Sequence, residues 1–275
     1  MTFRKSSLCL LALIAVSAVP LDVGAQNNQA GVTHGVTQAV QEAKKAGVPD
    51  ETINRLLSLG YDNGVEAASM ANLVSIVVEV KNEDLPQEPF LNKIEEGVAK
   101  HVPAASIEQV LKQKKQDYLF ARSLTSDYLK KHGLKQQVAP KDLVGITESL
   151  FSGLSREDLA LIMEQAPPVS PTTLRRAIHI QASLKQVGFD PKLSDQIVST
   201  GFKHNFFTHQ QRGFGRAIVA GKRNGVSDAK IAEAAMSTMQ SGGTVAGFCS
   251  QIGVSFSDVD RPRDDVPRPL FHGRK

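Results

Sequence analysis

One phrase recurs along this chain: a glycine, an apolar residue, Ser or Pro, two or three polar residues, then an aliphatic one. Gly47-Val48-Pro49-Asp50-Glu51-Thr52-Ile53 is its first instance. Gly153-Leu154-Ser155-Arg156-Glu157-Asp158-Leu159 and Gly225-Val226-Ser227-Asp228-Ala229-Lys230-Ile231 repeat it in the same register. His101-Val102-Pro103-Ala104-Ala105-Ser106-Ile107 carries His in place of Gly, and Gly188-Phe189-Asp190-Pro191 is a looser copy with Leu193 one place early. The phrase describes a helix stop followed by a helix start. Glycine takes the left-handed position after the last turn without a Cβ penalty. Ser or Asp caps the next helix, and Pro is tolerated in its first turn. Ser155 with Glu157 and Asp158 has the form of a capping box. The apolar residue between stop and start staples the corner. Successive instances lie 54, 52, 35 and 37 residues apart, which are helical-hairpin lengths close to those of helical repeats.

The expected fold class is therefore all-α, with about eleven helices as successive helical hairpins in an irregular array or bundle. Periodicity places helices over 35–46, 50–59, 64–80, 86–100, 104–131, 140–152, 155–165, 171–187, 191–201, 207–224 and 227–240. Leu73 to Val80 is rich in β-branched residues, so a strand is the alternative there. The 104–131 helix would carry Ile107, Val110, Leu111, Tyr118, Ala121, Leu124 and Tyr128 on one stripe and span about 40 Å. Residues 134–139 are a polar connector, taken as the boundary between an N-terminal half (26–133) and a C-terminal half (134–255). Residues 241–254 are Gly-rich and fit a short terminal turn. From 256 to 275 the chain is charged and proline-broken, and reads as an extended or disordered tail.

The first twenty-five residues read as an address rather than as part of the fold. Arg4 and Lys5 precede an apolar run from Leu8 to Val19 broken only by Ser17, and Val23-Gly24-Ala25 fits a cleavage site. This is the order of a secretory signal peptide, cleaved after Ala25; the run is too short for a spanning helix, which needs roughly 20 apolar residues. Two bases and one acid leave with it, so 30 bases and 27 acids remain of the original 32 and 28, a net charge of +3. That bias is too small to point to nucleic acid and is compatible with an anionic ligand, lipid or envelope partner. Cleavage also removes Cys9 and leaves Cys249 alone, so neither an internal disulfide nor a Cys-rich zinc site is expected. Hydrophobic residues at 41% and charged residues at 22% exclude wholesale disorder. Aromatic residues at 5%, with no Trp, argue against carbohydrate platforms. The expected location is the periplasm or the secreted fraction.

The Gly-Val-Pro-Asp-Glu phrase at 47–51 and Leu-Pro-Gln-Glu-Pro-Phe-Leu-Asn-Lys-Ile-Glu-Glu-Gly at 85–97 resemble those of exported α-helical proteins of bacteria. The resemblance covers most of the mature chain. It implies location and helical class, and it carries no active-site residue over.

No linear motif marks a catalytic site. Gly215 to Lys222 has a glycine-lysine pair, but five residues separate Gly215 from Gly221 and Arg223 follows Lys222, so the phosphate-loop spacing fails. The seven histidines include no His-Glu-x-x-His; His204 and His209 are five apart and off a shared helical face. No metal or cofactor is expected. Glu95 and Glu96 are adjacent and point to different parts of one helix. Lys112, Lys114 and Lys115 read as a solvated face, as do Arg175, Arg176 and His179. Cys249 is expected to be buried as a small apolar residue, an intermolecular disulfide being the alternative. The most unusual stretch is Phe202 to Arg216, which holds four of the twelve Phe among His204, His209, Arg212 and Arg216. It reads either as a core corner with bases facing water or as a cationic-aromatic site for an anionic ligand, with Phe206, Phe207, Phe214, His209, Arg212 and Arg216 as the candidate binding residues. The functional expectation is an exported, non-enzymatic helical interaction or scaffold protein. The alternative is a small-ligand or lipid-binding bundle with an apolar pocket at those Phe residues. A hydrolase or transferase with a site assembled only in three dimensions is the remaining class.

Overall fold

At one helix end after another, the amide of an apolar residue donates to the carbonyl five residues before it. Val48 donates to Ala43 (2.9 Å), Val65 to Gly60 (2.9 Å), Leu85 to Val80 (3.0 Å), Val102 to Gly97 (2.9 Å), Leu154 to Ser149 (3.2 Å) and Val226 to Gly221 (3.0 Å). Leu134, Phe189 and Val254 make the same bond. This is the Schellman closure, in which the residue before the apolar one is left-handed. His101, standing in the glycine position of the repeated phrase, indeed has φ 53°, and Asp84 has φ 52°.

The computed structural model describes residues 24–209 and 213–260. These closures divide it into α1 (Gly24–Lys45), α2 (Asp50–Asp62), α3 (Ala67–Asn82), α4 (Glu88–Ala99), α5 (Ala104–Lys131), α6 (Pro140–Phe151) and α7 (Arg156–Gln165). They are followed by α8 (Pro171–Gln186), α9 (Pro191–Lys203), α10 (Phe214–Arg223), α11 (Asp228–Ser241), α12 (Val245–Ile252) and α13 (Phe256–Asp260), with a 3-10 turn, Phe206–Thr208, between α9 and α10. Among the described residues the fold is all-α, an array of helical hairpins. Helices two places apart pack together: α1 on α3, α3 on α5, α6 on α8, α8 on α10, and α9 on α11. The helix starts follow the sequence too. Ser155 accepts from the Asp158 amide (3.0 Å) while Asp158 accepts from the Ser155 amide (2.7 Å), a complete capping box. None of the described helices is long and apolar enough to cross a membrane.

Several expectations need correction. Residues 73–80 lie within α3, so the β-branched run is a buried helix and not a strand. The helix expected from 207 starts at 214: Asn205 at φ 55° and Gly213 at φ 83° set off the 3-10 turn. The tail expected from 256 opens with α13, whose Val259 is buried; its remainder, and the leader through residue 23, lie outside the described residues. Val110 is 44% exposed and Leu124 only half-buried. The buried line of α5 runs through Ile107, Leu111, Lys114, Tyr118, Ala121, Thr125 and Tyr128, a strict three-four spacing that includes two polar residues. Lys114 is therefore no part of a solvated face: it donates to Glu148 (2.9 Å) and sits 4.3 Å from the Phe151 ring centroid. Thr125 donates to the Ala121 carbonyl (2.7 Å).

The apolar core is continuous across the 134–139 connector, running from Ala39 to Ala182. It divides instead along α8, which gives Leu174, Ile178 and Ala182 to that core and Ala177, Ile180 and Leu184 to a second one reaching Val259. Tyr128 secures the approach to α8: its hydroxyl donates to the Pro167 carbonyl and accepts from the Val169 amide (2.8 Å). Cys249 is buried in the second core, which raises its thiol pKa and removes the intermolecular disulfide expected as the alternative.

The closures make opposite-signed predictions. A methyl at Gly225 would meet nothing within 4 Å, yet φ there is +79°, so Gly225→Ala should lose about 1 kcal/mol to backbone strain alone. His101→Gly relieves the same strain and should gain about 0.5–1 kcal/mol. Urea denaturation with unchanged m-values would measure both; equal signs would refute the account.

Candidate functional site

The N-terminal ends of α6, α8 and α10 meet around one cleft of about 450 Å³. Each helix brings a cation. Lys141 is the second residue of α6, Arg175 and Arg176 stand in the second turn of α8 with His179 one turn further on, and Arg216 is in the first turn of α10. His209 closes the ring from the segment after the 3-10 turn. No carboxylate lines the cleft among the described residues. The first amides of each helix carry the positive end of its dipole. α6 and α10 begin without a side-chain cap, at Ala139 and Gly213.

Two of the arginines are set in place by hydrogen bonds to neighbouring elements. The Arg175 Nε donates to Asp142 Oδ1 (2.8 Å), and Thr172 Oγ1 donates to Asp142 Oδ2 (2.9 Å). Asp142 is buried behind them. Arg175 reaches it by lying across α6 at Gly145, where a Cβ would come within 2.3 Å of the Arg175 Cδ. Arg176 Nη1 donates to the carbonyls of Phe207 (2.9 Å) and Thr208 (2.7 Å). Those acceptors are neutral, so Arg176 is oriented without losing its charge. Partial desolvation in the cleft, and then the nearby Arg175 guanidinium, hold the His179 imidazole below the usual histidine pKa.

The aromatic residues play a different part. Phe206, Phe207 and Phe214 are buried. Their rings form a chain: Phe202 to Phe207 at 5.3 Å between centroids, Phe207 to Phe206 at 5.9 Å, Phe206 to Phe214 at 4.8 Å and Phe214 to Phe248 at 4.7 Å. Phe207 is packed so closely on α9 that a Cβ at Gly201 would lie 2.3 Å from its Cζ. The rings fill the core, and the cleft meets only their edges. An enclosed apolar pocket at these rings, expected for a ligand-binding bundle, is thereby replaced by an open, cation-lined cleft with an aromatic floor.

Of the residues singled out in the sequence, Phe206, Phe207, Phe214, His209 and Arg216 come together here; Arg212 lies outside the described residues. Sequence reasoning missed Lys141, Thr172, Arg175, Arg176 and His179. The Arg175-Arg176-His179 triplet was visible as a basic group following the Ser-Pro cap of α8, but its partner cations sit more than thirty residues away on either side. Elsewhere, Glu95 and Glu96 diverge as expected: Glu95 accepts from Arg55, while Glu96 accepts from Lys93 (2.8 Å) and Lys100 (2.6 Å). No three His, Cys, Asp or Glu side chains gather as metal ligands among the described residues. The chain matches no family model, no curated protein and no solved structure.

Asp142→Ala should destabilise the protein by about 1–3 kcal/mol, since it strips a buried carboxylate from Arg175 and Thr172. It should also broaden the side-chain Nε signal of Arg175 in NMR spectra while leaving that of Arg176 sharp, because the latter is held by separate acceptors.

Proposed function

We propose that this chain is an exported, non-enzymatic helical binding protein whose cationic cleft holds an anionic group of its ligand or partner. The observation that carries this reading is the convergence of six basic side chains, from three helices and a loop distant in sequence, on one cleft whose wall contains no carboxylate among the described residues. The lysine and arginine groups of the cleft are suited to holding an anion. The cleft's hydroxyl, Thr172, is engaged with Asp142, and the guanidinium groups are charged donors with no acceptor capacity. Positive charge held in a concave wall attracts an anion more strongly than the same charge spread over a convex face. Export rests on the order of charged, apolar and small residues in the first twenty-five positions, and the resemblance to exported helical proteins agrees with it.

The test is a titration with sulfate, whose charge is constant near neutral pH, followed by amide NMR. Saturable shifts should be confined to Lys141, Arg175, Arg176, His179 and Arg216, and the double charge reversal Lys141→Glu, Arg216→Glu should abolish them. Unsaturable shifts scattered over the basic surface would refute the site.

The direction of the pH dependence follows from His179. Its pKa is lowered in the unliganded fold, so the unfolded chain takes up that proton first, and the group's contribution to stability is lost as pH falls through the ordinary histidine range. A bound anion favours the imidazolium, so binding takes up a proton. Sulfate affinity should rise as pH drops from neutral to about 5.5, by up to roughly tenfold, and His179→Ala should flatten the profile. Calorimetry in two buffers of different ionisation enthalpy would count the proton directly.

A further inference from the structure

Resting on the anion-binding reading, we propose that the cleft is selective for a phosphate monoester, a tetrahedral group that carries two negative charges at neutral pH and one organic arm.

Charge comes first. Arg175 has a buried carboxylate, Asp142, directly behind it. Arg176 is held by two neutral carbonyls and keeps its charge, and Lys141 stands exposed at the first turn of α6. Arg216, in the first turn of α10, stands on the same wall. A carboxylate, a sulfate monoester or a phosphodiester brings one negative charge, and most of this field would stay unmatched. A monoester dianion brings two at neutral pH.

Geometry comes second. Two guanidinium groups adjacent in sequence on α8 are each held by fixed acceptors, one by Asp142 and one by the carbonyls of the 3-10 turn. A planar donor fork already fixed in place loses little freedom on binding, and such forks suit the oxygen pairs of a phosphoryl group. The third point is room. A cleft of about 450 Å³ is larger than a phosphoryl group needs and is open on one side. Ile180 and Phe206, both largely buried, leave a small apolar surface on the cleft wall for the organic arm. One arm fits that arrangement; the second arm of a diester would have to displace a donor.

Four probes that share a phenyl group separate the variables: phenyl phosphate, phenyl sulfate, methyl phenyl phosphate and benzoate, titrated calorimetrically at pH 7.5. Phenyl phosphate should bind at least roughly tenfold more tightly than the three monoanions, and Lys141→Ala or Arg216→Ala, both at exposed positions, should each reduce that preference with circular dichroism unchanged. Equal binding of all four would overturn the selectivity and leave the anion cleft standing. Binding of none of them, nor of sulfate, would remove the anion-binding reading itself. Vesicle co-sedimentation then distinguishes the two sources of a monoester. Phosphatidylcholine vesicles containing phosphatidic acid, but not those containing phosphatidylglycerol, should retain the protein in a manner competed by phenyl phosphate if the group is a lipid headgroup. Tight phenyl phosphate binding without vesicle retention assigns the site to a soluble ester. Retention on phosphatidylglycerol equal to that on phosphatidic acid would contradict monoester selectivity.

Discussion

Nine helix ends among the described residues turn on a single backbone bond, from the amide of an apolar residue to the carbonyl five residues before it. The bond ends one helix, and the side chain of the residue that donates it becomes part of the corner's packing. Val48, Leu85, Leu154, Phe189 and Val254 are all buried at such positions. Stop and staple are thus one device, and they fix where the next helix can begin. Because the corners are short, each helix lies back against a neighbour two places away, and the apolar stripes close on one another without any strand among the described residues. Where the chain departs from glycine at the left-handed position, at Asp84 and His101, it keeps the bond and accepts the strain.

That dependence explains what could be read from the sequence. The repeated phrase is a local signal, set by residues within one turn of each other, so the helix boundaries around Gly47, Gly153 and Gly225 and the whole of α5 were legible. Partner identities were less so. The line of α5 that faces inward passes through Lys114 and Thr125, and a search for apolar residues at helical spacing steps aside to Val110 and Leu124 instead. Lys114 is buried because Glu148 and the Phe151 ring meet it from α6, and nothing near Lys114 in sequence announces that. The aromatic stretch after α9 was legible as unusual, and the structural half of its reading was right: the rings are core. The charged half was incomplete, because three of its cations belong to α8 and one to α6.

The split of the core along α8 gives the cleft its place. A helix serving two cores has little surface left, and the residues at its N-terminal end that face neither core must emerge where the two bodies of packing diverge. Arg175 and Arg176 leave α8 on opposite sides of that divergence. One reaches back to α6 through Asp142, the other forward to the 3-10 turn. The same two side chains that line the cleft therefore tie the first core to the second. This is why the chain tolerates guanidinium groups there at all: each has a partner that fixes it.

The choice of those partners bears on function more than the number of cations does. A protein that needed these arginines only as ties between cores would be served by a carboxylate for each, and Arg175 has one. Arg176 has two carbonyls, which satisfy hydrogen-bond geometry and leave the charge in place. The aromatic chain holds those carbonyls where they are, because Phe207 is wedged against Gly201 and ring-packed with Phe202 and Phe206. The aromatic stretch and the basic group on α8 are thus parts of one arrangement, in which buried rings set the position of an uncompensated charge. Such an arrangement adds nothing to packing that a neutral side chain could not supply, and the proposed binding of an anion would give it a use.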